Sequence, residues 1–208
     1  MMTRVKICGI TNLEDALAAT EAGAYALGFN FYLNSPRYIT PRKAREIIEQ
    51  LPSSVLSVGV FVNEASPTAV ARIAEEAGLA AVQLHGDETP DYCLALRHLT
   101  VIKALRVGSD FHVEQVAECG AELILLDAFV SEARGGTGKI CDWSLARRAR
   151  DLAPKLFLAG GLNPENVREA IYAVGPYAVD VCSGIESRPG RKIAERMRAL
   201  FAAVGQCT

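Results

Sequence analysis

Two short apolar runs in this chain each end on one reactive side chain: Lys6-Ile7-Cys8-Gly9 on a thiol, and Leu125-Leu126-Asp127 on a carboxyl. A thiolate can remove a proton and a carboxylic acid can deliver one, so the pair suits general acid-base chemistry if the fold sets both across one cavity. Lone cysteines in apolar strands are usually small buried hydrophobes, and an aspartate closing a strand is often a turn former. Position at a common mouth decides between these readings. Lys6 would assist ionisation of Cys8, because residues two apart share a strand face. Apolar Leu125, Leu126 and Phe129 would favour the protonated form of Asp127.

Glycine pairs suggest what such a cavity holds. Gly160 and Gly161 follow one apolar run, and Ser183 and Gly184 follow another. Backbone N–H groups exposed in this way cradle a phosphate, and in barrels the loops after the seventh and eighth strands are the usual place. A third cluster, Arg134-Gly135-Gly136-Thr137-Gly138-Lys139, follows Asp127 directly. It reads as a lid whose Gly136 and Gly138 N–H groups close on an anion. Arg37, stiffened by Pro36, is a candidate anion partner, and Gln83 and His85 are candidate pocket residues.

The elements carrying these residues alternate along the chain. Apolar runs recur at Val5 to Cys8, Ala26 to Phe31, Leu56 to Val62, Ala80 to Leu84, Val101 to Leu105, Leu123 to Asp127, Leu156 to Ala159 and Ala178 to Cys182. Between them apolar residues fall three and four apart, as at Ala44, Ile47, Ile48 and Leu51, the spacing of a helix. Thr11-Asn12, Thr40-Pro41, Ser66-Pro67 and Asn163-Pro164 read as helix starts. Eight strand-helix units with short connections and no one-sided polar alternation predict an α/β fold, a single-domain (β/α)8 TIM barrel over residues 1–208. The first turn, Cys8-Gly9-Ile10-Thr11, lacks the glycine-rich signature of an open dinucleotide-binding sheet.

Charge and cysteine usage narrow the partners. With 22 basic and 24 acidic residues there is no excess of positive charge to neutralise a nucleic-acid backbone. No apolar run is long enough to span a bilayer and no basic-then-apolar leader opens the chain, so a soluble, cytoplasmic protein is expected, with a monomer as the default assembly. Six scattered cysteines without Cys-x-x-Cys, and three histidines without ligand spacing, favour free thiols and predict no metal.

Taken in order, Lys6-Ile7-Cys8-Gly9-Ile10, Phe31 to Ile39 with Ser35-Pro36-Arg37, Gln83-Leu84-His85-Gly86, Leu126-Asp127, Gly136-Thr137-Gly138, Ala159-Gly160-Gly161-Leu162 and Asp180 to Glu186 resemble the motifs of the phosphoribosylanthranilate isomerase family. The resemblance spans essentially the whole chain. It implies a cofactor-free Amadori rearrangement of the small-molecule substrate N-(5-phosphoribosyl)anthranilate in tryptophan biosynthesis. Cys8 would be the base, Asp127 the acid, and Arg37 the partner of the anthranilate carboxylate. One departure is Cys182-Ser183-Gly184, where the family usually has Ser-Ser-Gly. Indole-3-glycerol-phosphate synthase would need a lysine and a glutamate, and a dual-substrate sugar isomerase two aspartates, at strand ends that carry Cys8 and Asp127. For a thiol peroxidase the sequence marks no resolving cysteine. A catalytically silent phosphate-binding barrel is the alternative.

Overall fold

The computed structural model describes residues 2–108, 111–127, 143–153 and 155–207. Eight strands, β1 (Arg4–Cys8), β2 (Ala26–Asn30), β3 (Leu56–Phe61), β4 (Ala81–Leu84), β5 (Thr100–Arg106), β6 (Leu123–Asp127), β7 (Leu156–Ala159) and β8 (Ala178–Val181), pair in parallel and in sequence order. β1 also pairs with β8, so the sheet closes. Closure removes both edges, and the shared strand direction brings every strand's C-terminal end to one mouth.

The helices α1 (Leu13–Glu21), α2 (Pro41–Ile48), α3 (Pro67–Ala77), α4 (Pro90–Ala95), α5 (Gln115–Glu118), α6 (Trp143–Leu152), α7 (Val167–Val174) and α8 (Ala194–Gly205) follow the strands. Asn12, Thr40 and Ser66 cap α1, α2 and α3 as expected, each accepting a hydrogen bond from a backbone N–H three residues on. Asn163 does not open α7. Its side chain instead accepts from the N–H groups of Glu165 and Asn166, and the helix begins at Val167. Between β8 and α8 the chain adds features absent from the simple repeat, a 3₁₀ turn (Ser183–Ile185) and a hairpin of β9 (Glu186–Arg188) and β10 (Arg191–Lys192).

Strand alternation sorts side chains into two layers. Odd-numbered β1 residues Val5 and Ile7 join the core between sheet and helices, with Leu27, Phe29, Leu84, Leu126 and Leu158. The opposite faces fill the lumen with Ala26, Val58, Ala81, Ile102, Leu125 and Phe157. Lys6, Gln83 and Asp180 are buried polar residues on this inward register. Arg4 closes the far end, its guanidinium 4.4 Å from the Tyr177 ring centroid and 5.2 Å from that of Tyr25.

Candidate active site

At the mouth lies a cavity of about 310 Å³ lined by Cys8, Arg37, Gln83, His85, Asp127, Gly160, Gly161 and Ser183, all singled out from the sequence. Cys8 and Asp127 enter it from β1 and β6, separated around the barrel by β8 and β7. Gly184 is not part of the lining. A Cβ there would lie 2.0 Å from the Leu162 carbonyl oxygen, so this glycine lets the β7 and β8 loops pack together. Gly136, Gly138, Phe129 and the rest of the glycine cluster after Asp127 fall outside the described residues.

Cys8 is surrounded by groups that stabilise its thiolate. Gly28 lies opposite it in the β1–β2 register, where a Cβ would stand 2.7 Å from the Cys8 sulfur; the absent side chain makes the thiol's space. The hydrogen bond with the Cys182 thiol, together with the charges of Lys6 and Lys192, outweighs burial and holds Cys8 well below the ordinary thiol range. The same hydrogen bond, reinforced by burial, pushes Cys182 up. Of the two thiols, Cys8 is the one that ionises. The sequence marked Lys6 as the aid to Cys8 and Cys182 only as an extra thiol after the eighth strand; the β1–β8 register, which pairs Ile7 with Val181, brings Cys182 beside Cys8.

Lys6 points into the lumen, as alternation allowed, and is wholly buried, its Nζ 2.9 Å from Asp180 Oδ2. Burial favours the neutral amine, but the Asp180 and Cys8 charges override it and raise the Lys6 pKa. Burial lifts the Asp180 carboxyl to about 6 against the pull of Lys6. Asp180 Oδ1 and Gln83 Oε1 are buried without hydrogen-bond partners, and both residues line the cavity. These acceptors are placed to receive a ligand's hydroxyl protons.

Lys192 arrives from the hairpin. Its Nζ donates to the carbonyls of Cys8 and Cys182 and to Glu186 Oε1 at 2.9 Å. Glu186 also grips Arg37, accepting from Nε at 3.0 Å and from Nη2 at 2.6 Å. Burial pushes Glu186 up, but hydrogen bonds from Arg37 and Lys192 outweigh it and hold its carboxyl below the ordinary glutamate range. Arg37 therefore reaches the cavity already oriented by a carboxylate.

On β4, Gln83 Nε2 lies 2.9 Å from His85 Nδ1, and His85 Nε2 lies 3.5 Å from Asp127 Oδ2. An amide nitrogen donating to Nδ1 leaves the ring proton on Nε2, facing Asp127 Oδ2. At the opposite rim, the Asn166 and Asn163 side chains hold the Gly161 carbonyl, and Arg196 ties the Gly184 carbonyl to Glu165. Gly160 and Gly161 take φ of 103° and 65°, the left-handed region that glycine adopts readily. Among the described residues no three His, Cys, Asp or Glu side chains converge as metal ligands, and no helix is long and apolar enough to cross a membrane.

A closed parallel barrel with its ionisable side chains gathered at the C-terminal mouth defines the class: a (β/α)8-barrel enzyme. The family model for N-(5'-phosphoribosyl)anthranilate isomerase matches residues 5–203. The isomerase of Trichlorobacter lovleyi is 53% identical over 197 residues, covering 95% of each chain. That of Thermotoga maritima, a dimeric protein from which monomers have been generated, superposes with TM-score 0.90 at 48% identity, covering 99% of this chain and 100% of the other. An isomerase in complex with reduced 1-(o-carboxyphenylamino)-1-deoxyribulose 5-phosphate matches with TM-score 0.88 at 46% identity, covering 99% and 100%. The chain belongs to the phosphoribosylanthranilate isomerase family.

Proposed function

We infer that the chain carries out its family's reaction, isomerising N-(5-phosphoribosyl)anthranilate to 1-(2-carboxyphenylamino)-1-deoxyribulose 5-phosphate in tryptophan biosynthesis, with Asp127 as general acid and Cys8 as general base. Asp127 gives a proton to the ribose ring oxygen and the C1–O bond opens to an iminium. The Cys8 thiolate then removes the proton from C2, and its electrons flow into the iminium, leaving an enolamine that becomes the ketone. Protein side chains supply both proton transfers, and the iminium with its aromatic ring accepts the electrons.

The observation that carries this reading is the thiolate-stabilising surroundings of Cys8, set across the mouth from Asp127. Gly160, Gly161 and Ser183 hold the phosphate at the β7–β8 rim, with Gly184 keeping those loops in contact. Arg37 offers the guanidinium edge not used by Glu186 to the anthranilate carboxylate. Gln83 and Asp180 accept sugar hydroxyls, and His85 steadies Asp127. The enzyme acts as a cytoplasmic monomer. Supporting that assembly, the exposed large apolar residues Leu17, Leu94, Leu152 and Tyr172 lie on four different helices, and only Tyr32 and Leu33 adjoin in sequence, in the loop after β2.

Following the fluorescence of fresh substrate tests the reaction. Rapid decay with product formation, in buffer without added metal or cofactor, is the expected result. Tight binding of a reduced product analogue with no conversion would instead mark a silent phosphate-binding barrel.

A further inference from the structure

The isomerisation uses one thiol, yet the mouth is lined by two. Register pairs Lys6 with Asp180 and Ile7 with Val181, so the next residues to come level are Cys8 and Cys182. Neighbouring strands run about 4.7–4.9 Å apart, inside the roughly 4.4–6.8 Å between Cα atoms that a disulfide bridges. Both side chains line the cavity, and the Cys182 sulfur stands 3.0 Å from where a Cβ on Gly9, the residue after Cys8, would lie. Lys192 Nζ lies 3.9 Å from the Cys182 sulfur and binds both cysteines' carbonyls, anchoring the two strand ends to one cation. Where the family's usual motif has serine, this chain has the second thiol.

We propose that Cys8 and Cys182 are a redox-modification site, which a peroxide entering the mouth converts to a reversible disulfide that silences the isomerase and shields its base from irreversible oxidation. The Cys8 thiolate attacks one peroxide oxygen and the O–O bond breaks, leaving a sulfenic acid on Cys8 and a hydroxide that takes up a proton. The Cys182 sulfur then attacks the Cys8 sulfur. The S–O bond breaks, and water leaves with the Cys182 proton. The sulfur pair loses two electrons and the peroxide becomes two waters. An external dithiol reverses the change by exchange. Without Cys182 the sulfenic acid lasts long enough to meet a second peroxide and become a sulfinic acid, which thiols do not reduce. Cys93 and Cys119 do not compete, because both are buried in the outer core and burial raises their pKa values.

The chemical readout is independent of turnover, so it separates this inference from the assignment of the reaction. Wild-type protein is treated with hydrogen peroxide, quenched with an alkylating maleimide and peptide-mapped. One disulfide joining the Cys8 and Cys182 peptides is expected, with activity lost in step and restored by dithiothreitol. Cys182→Ser, which restores the family's usual hydroxyl, should lose activity under peroxide without thiol recovery, Cys8 having gained two oxygens. Oxidised wild type lacking the Cys8–Cys182 cross-link would overturn the proposal, as would full dithiothreitol recovery of Cys182→Ser. The wild-type peptide map decides the question even where the variant does not fold.

Discussion

Three cations, Lys6, Lys192 and Arg37, and two carboxylates, Asp180 and Glu186, stand around Cys8, and their order explains its chemistry. Each carboxylate is tied to a cation, leaving the shared positive field of Lys6 and Lys192 for the sulfur. Cys8 should therefore remain alkylatable by iodoacetamide as the pH falls well below its ordinary value of 9.0, while Cys182, pushed the other way, stays unmodified. Mapping the modified peptides against pH checks this; Cys8 labelling that appears only near pH 9 would contradict it. Glu186→Gln removes the charge that orients Arg37, so KM should rise by roughly tenfold or more, with a smaller change in kcat. A loss confined to kcat would place Glu186 in the chemistry instead. Cys8, Asp127 and Arg37 were legible because each follows a recognisable strand end or stiffened turn. Asp180, two residues before Cys182 on the same inward face, was legible as the start of the last motif but not as the partner of Lys6. Lys192 carried no signal, since its contact with Cys8 spans 184 residues of sequence and depends on a hairpin fold.

Among the elements, all eight strands were visible because each is a compact apolar run stopped by a turn residue. The β9–β10 hairpin was not, its five strand residues being all polar or charged with no apolar alternation. Nor was the bracing of the loop after β4, where buried Glu88 accepts from Lys103 Nζ at 2.7 Å and from the N–H groups of Asn63 and Gly86. Glu88→Ala leaves the Lys103 ammonium buried without its anion and should cost about 3–5 kcal/mol of stability, measured by urea unfolding. A loss under about 1 kcal/mol would mean the loop relaxes to hydrate Lys103. Gly28→Ala places a methyl against Cys8 inside a paired strand, and should lower kcat while the far-UV spectrum stays that of the barrel. Unchanged kcat would show that the thiol's position is not critical.

For the whole molecule, closure of β1 on β8 is what makes a site from residues at opposite ends of the chain: Lys6 meets Asp180, and Cys8 meets Cys182. That closure was predicted from the count of strand-helix units, whereas the network it creates depends on register. The ionised network also sets the response to acid. Glu88 and Glu186 are held below the usual 4.5, so the stability they contribute is present above that value and lost as pH falls through their folded pKa values. Asp180, lifted from 3.8 to about 6, has the opposite sign: its contribution is present at low pH and lost as pH rises through about 6. The melting temperature should thus hold or rise between pH 7 and about 5, as Asp180 takes up its proton, and fall below about 4.5. A collapse centred near pH 6 would contradict this balance.

In the proposed reaction a thiolate and a carboxylic acid facing each other across the barrel mouth perform the two proton transfers. Its most direct test is turnover of saturating phosphoribosylanthranilate by wild type, Cys8→Ser and Asp127→Asn, each shown to be folded by circular dichroism. Rapid wild-type decay of substrate fluorescence and a loss of about 10²- to 10⁴-fold in kcat for either variant are expected. Near-wild-type kcat in Cys8→Ser or Asp127→Asn would contradict this assignment and move that proton transfer to another group.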